Sequence, residues 1–176
     1  MAASSSLLEA DCALPDVSDT DRLGAAIADW LSAHHPLVTA RGFVLWLRGD
    51  LGAGKTALVR ALLRRLGVSG PVKSPTFTLL EPYVVSSLDF YHFDFYRFSE
   101  AAEFDAAGFR EHFGPGRICA VEWPEKARGR LPTADLALTL QVKEPGRIAH
   151  GEAATEAGAA CLTYAMKTMQ RPPAGG

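Results

Sequence analysis

The sequence predicts an α/β fold organised on a central parallel sheet, and three observations carry that expectation. Phe43-Val44-Leu45-Trp46-Leu47 is a continuous apolar run, the signature of a strand buried on both faces. It passes directly into a glycine-rich turn, and then into a segment ending TALVRALLRRL that reads as a helix from Lys55 to Leu66, closed by Gly67. A second unbroken run, Ile118-Cys119-Ala120-Val121, reads as another buried strand, ending on Glu122.

The remaining elements follow in chain order. Residues 1–6 read as a loose tail, and the apolar stretch Leu7 to Leu14 as an edge strand. Ser18-Asp19-Thr20-Asp21 supplies side-chain oxygens for the free N–H groups at a helix start. Leu23, Ile27, Trp30 and Leu31 then recur at helical spacing, and His34-His35-Pro36 ends the helix in a solvated loop. Residues 71–85 are expected to be extended, with a turn at Ser74-Pro75-Thr76 before the β-prone Phe77 to Leu80. Leu88 to Phe98, dense in aromatics, reads as a strand with a functional end. Glu100 to Phe113 reads as helical until Gly114-Pro115-Gly116 breaks it. Leu136 to Val142 alternates and suggests an antiparallel strand, and residues 155–169 suggest a terminal helix. The whole reads as one domain over residues 7–170, with a second tail at 171–176.

Composition narrows the classes. The chain has 176 residues, 48% hydrophobic and 22% charged, with a formal net charge of −2. This is ordinary for a globular protein and lacks the basic footprint of a nucleic-acid binder. A role involving RNA would therefore run through partner proteins. Cys12, Cys119 and Cys161 are far apart and form no C-x-x-C, so neither a disulfide framework nor a zinc site is indicated. The N-terminal residues carry no basic region followed by an apolar run, and no stretch reaches the length of a membrane span. A cytoplasmic location is expected.

The glycine-rich turn carries chemistry. Gly49-Asp50-Leu51-Gly52-Ala53-Gly54-Lys55-Thr56 matches G-x-x-x-x-G-K-[ST] in full. Glycines let the backbone curl so that successive N–H groups point at phosphate oxygens. The following helix adds the positive end of its dipole. Lys55 places a charge against the β- and γ-phosphates, and Thr56 offers a hydroxyl to Mg²⁺. A chain of this size would match by accident roughly once in two hundred cases.

Two further acids are candidates. Glu122 follows a buried strand, as a second metal-side acid does in such sites. In His92-Phe93-Asp94-Phe95-Tyr96-Arg97, strand spacing puts His92, Asp94 and Tyr96 on one face. A buried Asp94 is costly unless paired or used. The same spacing also suits a core aromatic strand with a satisfied polar edge. Arg97 could serve phosphate or pair with an acid.

GDLGAGKT at 49–56, VKSPTFTLLEPY at 72–83, HFDFYRF at 92–98 and VEWPEK at 121–126 together resemble the TsaE (YjeE) family. The resemblance spans about residues 7 to 150. It implies a P-loop NTPase fold with a central parallel sheet and flanking antiparallel strands. It also implies Mg²⁺-dependent ATP binding with weak intrinsic hydrolysis. Family members act with TsaD and TsaB, alongside TsaC or Sua5, in forming threonylcarbamoyladenosine in tRNAs that read codons starting with A.

By this resemblance Thr56 and Glu122 become Mg²⁺ ligands, and Asp94 the catalytic acid near the γ-phosphate. Trp123 lies beside the nucleotide, Thr20 touches it, and Ser74-Pro75-Thr76 forms a switch-like loop. Ala57 departs from the pattern, standing where many members carry a second threonine.

Other readings are a P-loop small-molecule kinase, with Arg128 and Arg130 as a lid-like pair, and a non-hydrolysing ATP-sensing module. A GTPase is disfavoured, because guanine readers commonly use Asn-Lys-x-Asp and this chain contains no asparagine. Direct contact with tRNA is left open.

Overall fold

A computed structural model describes residues 6–172. Most of the two expected tails lies outside the described residues. Strands β1 (Leu8–Leu14), β2 (Phe43–Arg48), β3 (Leu80–Val85), β4 (Leu88–Asp94), β5 (Arg117–Glu122), β6 (Leu136–Lys143) and β7 (Gly146–Ala153) form one sheet in the order β1-β7-β6-β2-β5-β4-β3. Neighbours β6, β2, β5 and β4 run parallel, while β7, β1 and β3 attach antiparallel. The strand expected to be antiparallel, β6, is so only towards β7; towards β2 it is parallel. Alternation along β6 reports its partly open far end, not its direction.

The helices are α1 (Val17–Ala33), α2 (His35–Arg41), α3 (Lys55–Arg65), α4 (Glu103–Ala106) and α5 (Glu156–Gln170). Apolar residues of α1, α3 and α5 pack with Leu45, Leu47, Ile118 and Ala120 in one core. Gly24 sets the α1–α3 approach, since a Cβ there would lie 2.7 Å from the Leu58 carbonyl oxygen. A second core of Phe93, Phe95, Phe98, Phe104 and Phe109 closes on Cys119 and Val121. Successive residues of β5 thus enter opposite cores, which is why its apolar run is unbroken. Burial raises the thiol pKa of both Cys119 and Cys161. Among the described residues, no helix is long and apolar enough to cross a membrane.

Several expectations are corrected. The cap of α1 is Asp16, whose carboxylate accepts from the Ser18 amide at 2.8 Å while Asp19 accepts from the Asp16 amide at 3.2 Å. Ser18 to Asp21 lie inside the helix itself. His34 is not a solvated loop residue: it stacks on Trp30 with ring centroids 4.1 Å apart. Pro36 sits in the first turn of α2, where a proline removes only an N–H that the helix leaves unpaired. Phe77 to Leu79 form a turn and not a strand, with Leu79 at φ 66° and its amide donating to the Pro75 carbonyl. The stretch expected to be one helix over 100–113 divides at Gly108 (φ 71°) into α4 and a 3₁₀ turn, Phe109–His112.

Asp135, buried at the head of β6, ties elements from both halves of the chain. Its carboxylate accepts from Arg41 at 2.7 Å, the Val44 amide at 2.8 Å and Thr155 at 2.7 Å. The outer strands end the sheet differently. β1 exposes Glu9 and Asp11, and β3 carries Pro82.

Candidate functional site: a glycine loop at the ends of three parallel strands

Parallel pairing brings Leu47 level with Glu122, and Glu122 level with Asp94. The carboxyl ends of β2, β5 and β4 therefore meet at one edge, where ligands bind in open α/β sheets. The loop from Gly49 to Gly54 joins β2 to α3 there. Gly49 (φ 132°) has no room for a side chain, because a Cβ would lie 2.3 Å from the Leu140 carbonyl oxygen. Gly54 (φ 107°) starts α3 from the left-handed region. Asp50 and the buried Ala53 close the loop through an Ala53 amide bond to the Asp50 carbonyl at 3.1 Å.

Lys55 is 4% exposed. Its ammonium donates to the carbonyls of Gly49 at 2.6 Å and Asp50 at 2.9 Å, and lies 4.2 Å from the Trp123 ring centroid. Burial draws its pKa below the ordinary lysine range, while Glu122 and then Asp94 oppose that shift. Trp123 reaches this position because its own backbone is left-handed (φ 58°), turning the chain off the end of β5.

Thr56 donates to Glu122 Oε1 at 2.8 Å. Buried His92 meets the same oxygen through Nε2 at 2.8 Å. Thr56 and Glu122 are two hard oxygen donors in contact. They suit Mg²⁺, which takes one or two protein oxygens and fills its shell with water and phosphate. Among the described residues there is no cluster of three His, Cys, Asp or Glu that would hold a metal on protein groups alone.

Asp94 is also buried. Its Oδ2 accepts from Ser74 and, at 3.0 Å, from Thr76, and its Oδ1 accepts from the Tyr96 amide at 2.9 Å. These bonds hold the 74–76 turn against the end of β4. They also override the β-propensity of the following Phe77 and Thr78.

A cavity of about 380 Å³ gathers most of the expected residues: Leu51, Gly52, Gly54, Lys55, Thr56, Ala57, Ser74, Thr76, Asp94, Glu122 and Trp123. Tyr96 and Arg147 complete its wall. Gly49, Asp50 and Ala53 shape the loop without lining the cavity. Thr20 does not line it either: it is buried in α1, with no partner for its hydroxyl among the described residues. Arg97 lies over the Phe77 ring at 4.1 Å. Arg130 pairs with Asp105 at 2.9 Å, and Arg128 lines a separate groove beside Trp46.

No functional motif in the sequence includes Arg147. Pro145-Gly146 before it is a turn signal that could have placed a hairpin there. Only the pairing of β7 with β6 and β1 brings it to the glycine loop.

A central parallel strand, a loop of this shape and a helix, with acids ending two neighbouring strands, define a P-loop NTPase fold. Comparison with known proteins narrows the class. The family model described as "Threonylcarbamoyl adenosine biosynthesis protein TsaE" matches residues 14–149. The chain is 40% identical over 134 residues to the tRNA threonylcarbamoyladenosine biosynthesis protein TsaE of Haemophilus influenzae, covering 76% of this chain and 83% of the relative. It is 35% identical to the Treponema pallidum protein of the same name, covering 77% and 93%. A crystal structure of Bacillus subtilis YdiB superposes with a TM-score of 0.63 at 25% identity, covering 91% of this chain and 94% of that one. The chain belongs to the TsaE family.

Proposed function

We propose that this chain is an accessory ATPase that sustains repeated formation of threonylcarbamoyladenosine in tRNAs reading codons that start with A. It acts in the cytoplasm on the TsaB–TsaD complex, alongside the TsaC or Sua5 enzyme. The observation that carries the reading is the convergence of Lys55, Thr56, Glu122 and Asp94 on one cavity at the glycine loop, in a chain of this family.

Loop amides and the Lys55 ammonium hold the phosphates of ATP. Thr56 and Glu122 would hold Mg²⁺, which neutralises phosphate charge when bound. His92 fixes the Glu122 carboxylate from behind. Asp94 positions the attacking water. A carboxylate offers about four lone-pair sites. The bonds from Ser74, Thr76 and the Tyr96 amide use three of them, which leaves capacity for a water.

The same bonds support a second reading, in which Asp94 only fastens the 74–76 segment and the chain works as an ATP sensor through binding alone. Asp94→Ala separates the two. Retained binding with loss of both ATP hydrolysis and sustained tRNA modification supports the ATPase; retained binding with full tRNA modification supports the sensor.

The direct test is product formation on unmodified tRNA over many turnovers with matched TsaB, TsaC and TsaD. Addition of this chain should convert a stalled round into sustained product, and Lys55→Ala should not. If the chain binds ATP and the partners are active but product is unchanged, the accessory role is wrong.

A further inference from the structure

His92 is fully buried in β4, on the same face of the strand as Asp94. Its backbone pairs level with Ala120 of β5, so the imidazole reaches forward to the carboxylate of Glu122 that ends that strand. Packing does not explain an imidazole here. Phe90, Phe93 and Phe95 beside it in the chain are fully buried aromatics, and His92 Nδ1 is buried with no hydrogen-bond partner among the described residues. A buried polar atom without a partner carries a cost that a phenylalanine at this position would avoid. What a phenylalanine could not supply is the contact from Nε2 to Glu122 Oε1 at 2.8 Å.

That contact distinguishes the two oxygens of Glu122. Nε2 carries the proton in it, because a carboxylate oxygen accepts. Each carboxylate oxygen has room for about two donors. Oε1 receives Thr56 and His92, both at 2.8 Å, and is therefore filled. Oε2 receives no hydrogen bond from the described residues, and Glu122 lines the cavity. Thr56 can keep its proton on Oε1 and still offer a lone pair to a cation, since a hydroxyl has both. Without the His92 donor, nothing but Thr56 would hold the carboxylate in this orientation.

We propose that His92 is a positioning residue for the divalent cation that accompanies the nucleotide. By saturating Glu122 Oε1 it turns Oε2 towards Mg²⁺ or a water on it. The proposal deepens the Mg²⁺–nucleotide reading of the glycine loop and rests on it.

Calorimetric titration of the full chain with β,γ-methylene-ATP, in EDTA and in Mg²⁺, tests it on the parent, His92→Phe and His92→Gln. The ratio of the metal-free Kd to the Mg²⁺ Kd follows metal affinity in the complex. His92→Phe keeps the ring volume without the donor, and its ratio should fall about tenfold or more. His92→Gln keeps an N–H donor, and its ratio should stay within about threefold of the parent. An unchanged ratio in His92→Phe overturns the proposal and leaves the loop reading intact. An equal fall in both variants also overturns it, since the donor would then not be what matters. Nitrogen-15 resonance of the His92 ring in the parent needs no variant. It should show the proton on Nε2, retained when Mg²⁺ and the analogue are added; a proton on Nδ1 alone, or loss of the Nε2 proton on their addition, overturns the proposal. A parent that binds the analogue under neither condition overturns the loop reading and, with it, this inference.

Discussion

At the scale of single residues, the site concentrates groups that the fold does not favour for its own stability. Lys55 is the clearest. Its pKa lies below the unfolded value, so the native state binds that proton less readily than the unfolded chain. Unfolding then takes up protons, and this group's contribution to stability rises as pH rises between the depressed native value and the ordinary 10.5. At neutral pH the charge is a net cost. Lys55→Met should therefore abolish tight ATP binding while leaving the unliganded melting temperature equal to the parent or higher. Paired calorimetric and melting measurements check this, and a variant that melts well below the parent contradicts it.

Asp94→Ala is expected to act differently. It should retain ATP binding within a few fold and lose hydrolysis, and it should loosen the 74–76 turn it anchors. Protease susceptibility or hydrogen exchange of residues 72–79 reads that loosening. Most of these residues were legible because the glycine motif is contiguous in the chain and its chemistry fixes its spacing. Arg147 was not, because its place on the cavity wall depends on a strand pairing and no local pattern marks it.

At the scale of elements, apolar pattern found what packing alone decides. β2, β5, α3 and the edge strand β1 lie where runs and periodicities put them, within a residue or two. The elements missed are those where side chains override pattern. α2 was hidden by a proline read as a stop, and β7 by Gly146 and Gly151, which weaken a strand signal. A turn at Phe77 to Leu79 stands in place of a strand because Asp94 captures the hydroxyls of Ser74 and Thr76 just before it. Asp135 is the strongest such case, binding α2, β2 and the start of α5 through one carboxylate. Asp135→Ala should lower unfolding free energy by about 2 kcal/mol, since it leaves the part-buried Val44 amide and the Thr155 hydroxyl without their acceptor. Gly158→Ala should also destabilise, because its Cβ would lie 1.7 Å from the Asp135 carbonyl oxygen. Urea denaturation measures both.

At the scale of the whole molecule, two cores share one sheet, and the cavity lies where strands from both end. A ligand there would meet residues of β4, β5, β7, the head of α3 and the loop that follows β2, so its binding free energy would oppose unfolding of the sheet. MgATP at a hundredfold excess over its Kd should add about 2.7 kcal/mol, which raises the melting temperature by about 5–10 °C in a chain of this size. Lys55→Ala should show no such shift. A shift of equal size in Lys55→Ala would mean that ATP is bound elsewhere.

The two borders of the sheet bear on how this molecule meets others. A bare strand is a template for recruiting another chain, and recruitment ends in fibres or tangled multimers. Alternating carboxylates on β1 repel a second copy, and the proline in β3 leaves a gap in any ladder that might be added. Both doors to lateral growth are therefore shut. That leaves the loop-bearing rim, where the proposed nucleotide would sit, as the face on which a docking partner could read it.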